Sequence, residues 1–298
     1  MFQGSDKEQV SVAQRYAELW HAIQYNGASK RSFIEQTDFI DQVRNSLDRK
    51  ASGLLPEQPE WIANSFSVEG LAFQSGATEI LKLRHRDLAS LHALKTIPSA
   101  QRDDVVLSQS MRREAEIGLR LRHPHLLETS LLLRLDDGRP GILMPWHPVS
   151  LASLPVETRF SRDDAVSLLR CVLHALFEMH QQGLVHCDVT PANVFLAGET
   201  LGKAKLGDFG ITIPIGARHL DFGIQRAGSP EFAAPEQLNG EKAHPAQDIY
   251  AFGKLTRKII SKMDITEGAL SELAEQCNDE RVEKRPQDVQ AILKLLET

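Results

Sequence analysis

Two carboxylates and an amide stand at a spacing suited to phosphate chemistry. Asp188 follows His186 and Cys187, Asn193 comes five residues later, and Asp208-Phe209-Gly210 begins 20 residues after Asp188. Phosphoryl transfer needs a carboxylate beside the attacking hydroxyl, oxygen ligands for Mg²⁺ and a cation on the nucleotide phosphates. Asp188 and Asn193 supply a carboxylate and an amide oxygen on one short loop, which enters the apolar run Val194-Phe195-Leu196. Asp208 adds a second carboxylate after the run Ala204 to Leu206. A hairpin of those two runs would carry both acids to one cleft. A second triplet, Asp221-Phe222-Gly223, lies 33 residues past Asp188, too far for that connection, and reads as coincidence.

The elements that must position these groups divide the chain. Residues 1–60 read as a helical extension. Val12, Tyr16, Leu19, Trp20 and Ile23 follow the spacing of one buried helical stripe, which Asn26-Gly27 stops. Phe33, Ile34, Ile40, Val43 and Leu47 form a second stripe ending near Gly53, and the prolines at 56 and 59 mark a linker. The extension is expected to pack on the main domain. From 61 to 144 five apolar or alternating runs (65–73, 78–85, 91–97, 125–135 and 138–144) read as strands, with one helix at 111–123. Beyond Ser161 helices dominate, at 162–183, 246–263, 267–277 and 285–297. Strands in one half and helices in the other make an α+β chain of two lobes.

Taken in order, these motifs resemble a eukaryotic-type (Hanks-type) serine/threonine protein kinase over about residues 64–298, most similar to compact bacterial members. The resemblance implies a bilobal kinase fold with a strand-rich N-lobe (61–144), a hinge (145–149) and a helical C-lobe (150–298). It implies ATP as co-substrate, Mg²⁺ and a protein substrate. Lys95, in His92-Ala93-Leu94-Lys95, sits where the family's third strand carries its phosphate-binding lysine, and Glu114 is its ion-pair partner, with Glu116 half a turn off. Asp188 would be the catalytic base, Asn193 and Asp208 the Mg²⁺ ligands, and Ser229 the hydroxyl that bonds near the catalytic aspartate. Met144 stands at the gatekeeper position. Pro145 would offer its carbonyl and His147 its N–H to adenine, since proline lacks only the donor. Gly70-x-Ala72-x-x-Ser75-Gly76 stands in for the Gly-rich loop. Glu236 and Arg285 match a structural ion pair of the large lobe, and His186 a packed structural residue.

Departures from the family pattern are specific. Cys187 replaces the arginine that answers a phosphorylated activation loop, and Thr190 replaces a lysine that stabilises charge on the transferred phosphoryl group. The stretch from Ser261 to Arg285 has room for one helix where two are usual. Ala72, Cys187 and Thr190 motivate an alternative, a pseudokinase acting as a nucleotide- or protein-binding scaffold. A small-molecule kinase of the aminoglycoside type is disfavoured by Ala234-Pro235-Glu236 and Arg285.

Composition narrows the partners. The 298 residues carry a net charge of −6, which excludes a strongly basic nucleic-acid binder. Cys171, Cys187 and Cys277 have neither the count nor the spacing of a disulfide framework or a zinc site. The 11 histidines include no helical pair with a third ligand nearby. No apolar run reaches the ~20 residues of a membrane helix. The expectation is a cytoplasmic protein, with a secreted effector as the variant.

Overall fold

A helical pair comes first. Helix α1 (Gly4–Gln24) and helix α2 (Phe33–Ser52) are joined by a short hairpin of β1 (Tyr25–Asn26) and β2 (Ser29–Lys30), in which Tyr25 opposes Lys30 and Asn26 opposes Ser29. Gly27 takes φ +62° in its turn, so the Asn26-Gly27 signal both ends the helix and turns the chain. The computed structural model describes residues 4–52, 61–196, 201–225, 228–263 and 268–296. The chain falls into two compact units, Met1–Glu60 and Trp61–Thr298.

The buried stripes expected in the first unit are only partly formed. Leu19, Ile23 and Val43 are half-buried, but Tyr16, Trp20, Phe33, Ile34 and Ile40 are exposed, and Tyr16 and Trp20 stack on each other at 6.4 Å. Two helices share one narrow contact, too little to cover two apolar stripes. The side chains of Val12 and Leu47, together with Gly53 and the proline linker, lie outside the described residues.

The second unit opens with a six-stranded antiparallel sheet. Its strands are β3 (Trp61–Ile62), β4 (Phe66–Gln74), β5 (Glu79–His85), β6 (Leu91–Thr96), β7 (Leu131–Arg134) and β8 (Pro140–Pro145), in the order β3-β4-β5-β6-β8-β7. Alternation sets the two faces. Leu83, Leu94 and Leu143 pack with Ile62 and Phe66 on one side, while Ile142 and Ile97 pack against the helix on the other. That helix, α3 (Val105–Arg120), starts earlier than the periodicity indicates, because Asp104 caps it by accepting from the N–H of Leu107 at 3.0 Å. Its buried stripe runs Met111, Glu114, Ala115, Gly118. Glu114 is therefore carried inward by helical period, while Glu116 is exposed. A Cβ on Gly118 would sit 2.1 Å from Thr129 Oγ1, so glycine lets α3 close onto Thr129 and Phe209.

The run 125–135 yields a strand only in its second half. Its first half serves a different pairing: Leu127 N–H donates to Leu206 O at 2.8 Å and Leu206 N–H to His125 O at 2.8 Å. The helical half follows. Helix α4 (Arg162–Gln181) is begun by a Ser161–Asp164 capping box. Two small antiparallel pairings hang on it, built from β9 (Leu184–Val185), β10 (Val194–Phe195), β11 (Lys205–Leu206) and β12 (Ile213–Pro214): β10 with β11 and β12 with β9, with a parallel bridge of Leu126 to Leu206 beside them. Helices α5 (Pro235–Leu238), α6 (Pro245–Ile260), α7 (Gly268–Cys277) and α8 (Val289–Leu295) complete the unit. Leu168, Leu173, Leu176, Phe252, Leu255 and Ile292 are the centre of the core they share. Residue 267, expected to open the late helix, is outside the described residues. Among the described residues no helix is long and apolar enough to cross a membrane.

Candidate active site

The β10–β11 hairpin sets the spacing of the acids. Val194 opposes Leu206 and Phe195 opposes Lys205, so the residues just before β10 and just after β11 emerge side by side. Gly207 N–H donates to Asn193 O at 2.9 Å and closes that end. Asn193 Nδ2 donates to the backbone oxygen of Asp188 at 2.9 Å and to its Oδ2 at 2.8 Å. From the other side, Ser229 donates its backbone N–H at 3.2 Å and its hydroxyl at 3.0 Å to Asp188 Oδ1. Both oxygens of Asp188 are thus held at fixed angles.

Lys95 reaches the same place from β6. Its Nζ lies 2.7 Å from Glu114 Oε1 and 2.9 Å from Asp208 Oδ1, joining strand, helix and hairpin. Burial works against a charged Lys95, but the charges of Asp208 and Glu114 outweigh it and raise its pKa. Burial raises the Glu114 carboxyl, and Lys95 offsets this only in part. Burial also acts to raise Asp208, but Lys95 and the N–H of Gly210 hold it below the ordinary range. One ammonium therefore serves two carboxylates of unequal basicity, and Asp208 is the one that stays ionised more readily.

Two residues of the site adopt the left-handed region that disfavours side chains, Cys187 at φ +69° and Asp208 at φ +65°. Such conformations cost about 1–3 kcal/mol each and persist only where neighbours over-determine them. Asp208 is gripped by Lys95 and Gly210. Cys187 is gripped by Asp248, whose Oδ1 accepts its N–H at 2.8 Å, and by Gln237, whose Nε2 donates to its carbonyl at 2.7 Å. Asp248 Oδ2 accepts from the N–H of His186 at 2.8 Å and pairs with His180 Nε2 at 2.9 Å. The Cys187 side chain turns into an apolar pocket of Val185, Ile213 and Ala243.

The donor set suits a nucleotide-bound magnesium ion. Among the described residues no hydrogen bond reaches Asp208 Oδ2 or Asn193 Oδ1, leaving two hard oxygens beside each other's loops. Mg²⁺ is held by one or two such protein oxygens together with phosphates and water. Among the described residues no group of three His, Cys, Asp or Glu could hold a metal ion. Asn193, Asp208 and Lys95 therefore fit Mg²⁺ and ATP.

The residues expected to meet adenine lie at the end of β8 and just beyond it. Met144 opposes Ala93 in the sheet and packs on the cluster of Ile97, Met111, Ala115 and Ile142. Trp146 N–H donates to Leu91 O at 3.2 Å, so the neighbouring pair His92–Pro145 is the non-bonded one of the ladder. That is where a proline is tolerated, and it leaves the Pro145 carbonyl outside the ladder. His147 is half-buried, its ring 6.4 Å from Phe195. The residues expected in the Gly-rich loop span the end of β4 and the turn that follows it. Gly70 lies within β4 opposite Lys82, and Ala72 falls at a register shift between Leu71 and Phe73. The tight turn is Ser75–Thr78, where Ser75 Oγ accepts from the N–H of Ala77 and of Thr78. Of the residues expected in the loop, only Ser75 and Gly76 are in the turn, because strand pairing extends further than the glycine spacing suggests.

The family model described as protein kinase domain matches residues 75–294, most of the chain. The chain belongs to the protein kinase family. It is 35% identical over 153 residues to the serine/threonine-protein kinase PknK of Mycobacterium tuberculosis, covering 49% of this chain and 13% of that protein. To PknI of the same organism it is 30% identical over 183 residues, covering 59% of this chain and 28% of the relative. Aurora kinase A-A of Xenopus laevis is 24% identical over 226 residues, covering 74% of this chain and 53% of the relative. The matched relatives are thus longer than the part this chain spans.

Within this kinase domain, several supporting residues went unassigned by motif. Asp248, paired with His180, and Gln237 brace the loop at Cys187 from 61 and 50 residues away. Arg113 donates to Gly210 O at 2.7 Å and ties α3 to the loop after Asp208. No local spacing signals such contacts. Glu236 and Arg285 do pair, at 2.6 and 3.0 Å, with Arg285 also donating to the carbonyls of Ala246 and Asp279. His186 is fully buried, Nε2 against Gly207 O at 3.1 Å and ring edge against Phe209.

Proposed function

We propose that this chain is an ATP-dependent protein kinase that phosphorylates Ser or Thr hydroxyls of a protein substrate. The observation that carries the reading is Lys95 bound at once to Glu114 and Asp208 while Asp188 stands ready on the adjoining loop. ATP with Mg²⁺ supplies the phosphoryl group and neutralises its oxygens when bound. Asp188 orients the acceptor hydroxyl and accepts its proton at Oδ1 or Oδ2. Lys95, aimed by Glu114, would hold the α and β phosphates, and Asp208 and Asn193 would hold the metal. Gly70, Ala72, Ser75, Met144, Pro145 and His147 would frame the nucleotide. Three free, buried cysteines accord with action in the reducing cytoplasm.

The test is transfer from labelled ATP to the chain itself or to a supplied protein, in wild type and in Asp208→Ala. Wild type should incorporate label and the variant should not, with closely similar unfolding temperatures. Equal incorporation would refute the role of Asp208. ATP binding by both without transfer by either would make the chain a nucleotide-binding scaffold.

A further inference from the structure

A cavity of ≈ 820 Å³ opens beside Asp188, and Thr190 and Ser229 form part of its wall. Since the Ser229 hydroxyl touches Asp188, the cavity adjoins the place where an acceptor hydroxyl would sit. It is far larger than one side chain, so it can take a stretch of peptide flanking the acceptor. Its floor is apolar, with Leu154, Phe160, Phe232 and Ile259.

The rim has a definite sign. Among the described residues Arg159, Lys258 and Lys262 line it, with Glu231 the one acid. Lys262 Nζ donates to Pro155 O at 3.0 Å and to Val156 O at 3.5 Å, bonds that fix its position without cancelling its charge. Phe160 N–H donates to Lys262 O at 2.9 Å, which holds the end of α6 against the opposite wall. Lys258 is exposed, and its ammonium has no hydrogen-bond partner among the described residues. A basic substrate would meet like charge here, and an acidic one would meet complementary charge.

We propose that this cavity selects protein segments in which the acceptor Ser or Thr is flanked by an acidic residue and an apolar one. The inference rests on the kinase reading and adds its substrate class. Lys258 and Lys262 receive the carboxylate, and the apolar floor receives the neighbouring aliphatic or aromatic side chain. Neither lysine takes part in the transfer itself; both set specificity.

Two fluorescent peptides with one serine test this on the intact chain. One carries Leu and Glu beside the serine, the other Leu and Lys. Binding is read by anisotropy and transfer by labelled ATP. The acidic peptide should be favoured by about tenfold in kcat/KM, the size that one or two partly screened charge contacts give. Lys258→Glu should erase or reverse the preference through KM, leaving the KM for ATP unchanged. Equal use of both peptides, or a preference indifferent to Lys258→Glu, overturns the inference and leaves the kinase reading standing. A retained binding preference without transfer to either peptide overturns the kinase reading and supports the charge selectivity. Loss of both overturns both.

Discussion

Ser229 gives both its backbone N–H and its hydroxyl to one oxygen of Asp188, from 41 residues further along the chain. The bonds place the start of the Ser229–Phe232 turn against the catalytic loop. They also leave the carboxylate with one orientation, its other oxygen being held by Asn193. A hydroxyl bonded to a charged group contributes about 1.5–3 kcal/mol. Ser229→Ala should therefore lower kcat by about 10- to 100-fold. Ser229→Thr, which keeps the hydroxyl, should retain most activity. Steady-state kinetics of the two variants decide it, and equal activities would remove Ser229 from the machinery.

Asp248 is the buried anchor of the catalytic loop. Burial acts to raise its carboxyl, but the hydrogen bond and charge of His180, the nearby His186 and the N–H of Cys187 hold it below its ordinary 3.8. A depressed pKa means stability that is complete above 3.8 and is lost as the pH falls toward the lower folded value. Asp248→Asn should cost about 3–5 kcal/mol near neutrality, as removal of one buried charged partner does. It should also flatten the loss of stability in acid. Urea midpoints of both proteins from pH 7 down to 3 give the comparison, and parallel curves would contradict it.

Activation-segment phosphorylation has little to act on here. Between Asp208 and Glu236 the chain has two hydroxyl side chains, Thr212 and Ser229, and no tyrosine. Thr212 is fully buried and donates to His186 O at 3.2 Å, and Ser229 is bound to Asp188. The segment is instead pinned by backbone: Ile213 and Pro214 pair with β9, Gly216 N–H donates to Ala243 O at 2.8 Å, and Ala243 N–H to Ala217 O at 2.7 Å. Exhaustive phosphatase treatment should leave the initial rate within about twofold, since no new charge-assisted bond is lost. A larger fall, with phosphate mapped to Thr212 or Ser229, would show a switch of the usual kind.

All three thiols should be silent in the native protein. Burial pushes Cys277 up to about 12, and burial with the charge of Asp248 raises Cys187 well above its ordinary value. Cys171 is raised by burial as well. The thiolate is the reactive form, so iodoacetamide at pH 8 should label none of them until denaturant is added, and then all three. Rapid native labelling of Cys187, seen by peptide mass, would mean that its apolar pocket opens.

The sequence by itself determined what depends on short separations. Asp188, Asn193 and Asp208 lie around one hairpin whose register follows from two apolar runs, so their meeting is a local event. Glu114 over Glu116 follows from the period of α3, which places it with Met111 and Ala115. The spacing of the glycines, in contrast, does not say where the turn falls, because β4 and β5 stay paired past Gly70 and only backbone geometry decides where a ladder ends. Periodicity marked Tyr16, Trp20, Phe33 and Ile34 as apolar faces, and a pattern of that kind cannot say what area is present to cover them. Only the tertiary structure decided that Asp248, His180 and Gln237 would hold Cys187 in a strained conformation, and that three bases would gather around one cavity beside Asp188. Those contacts join residues tens of positions apart, where spacing carries no signal and the packing of α4, α5 and α6 sets every distance.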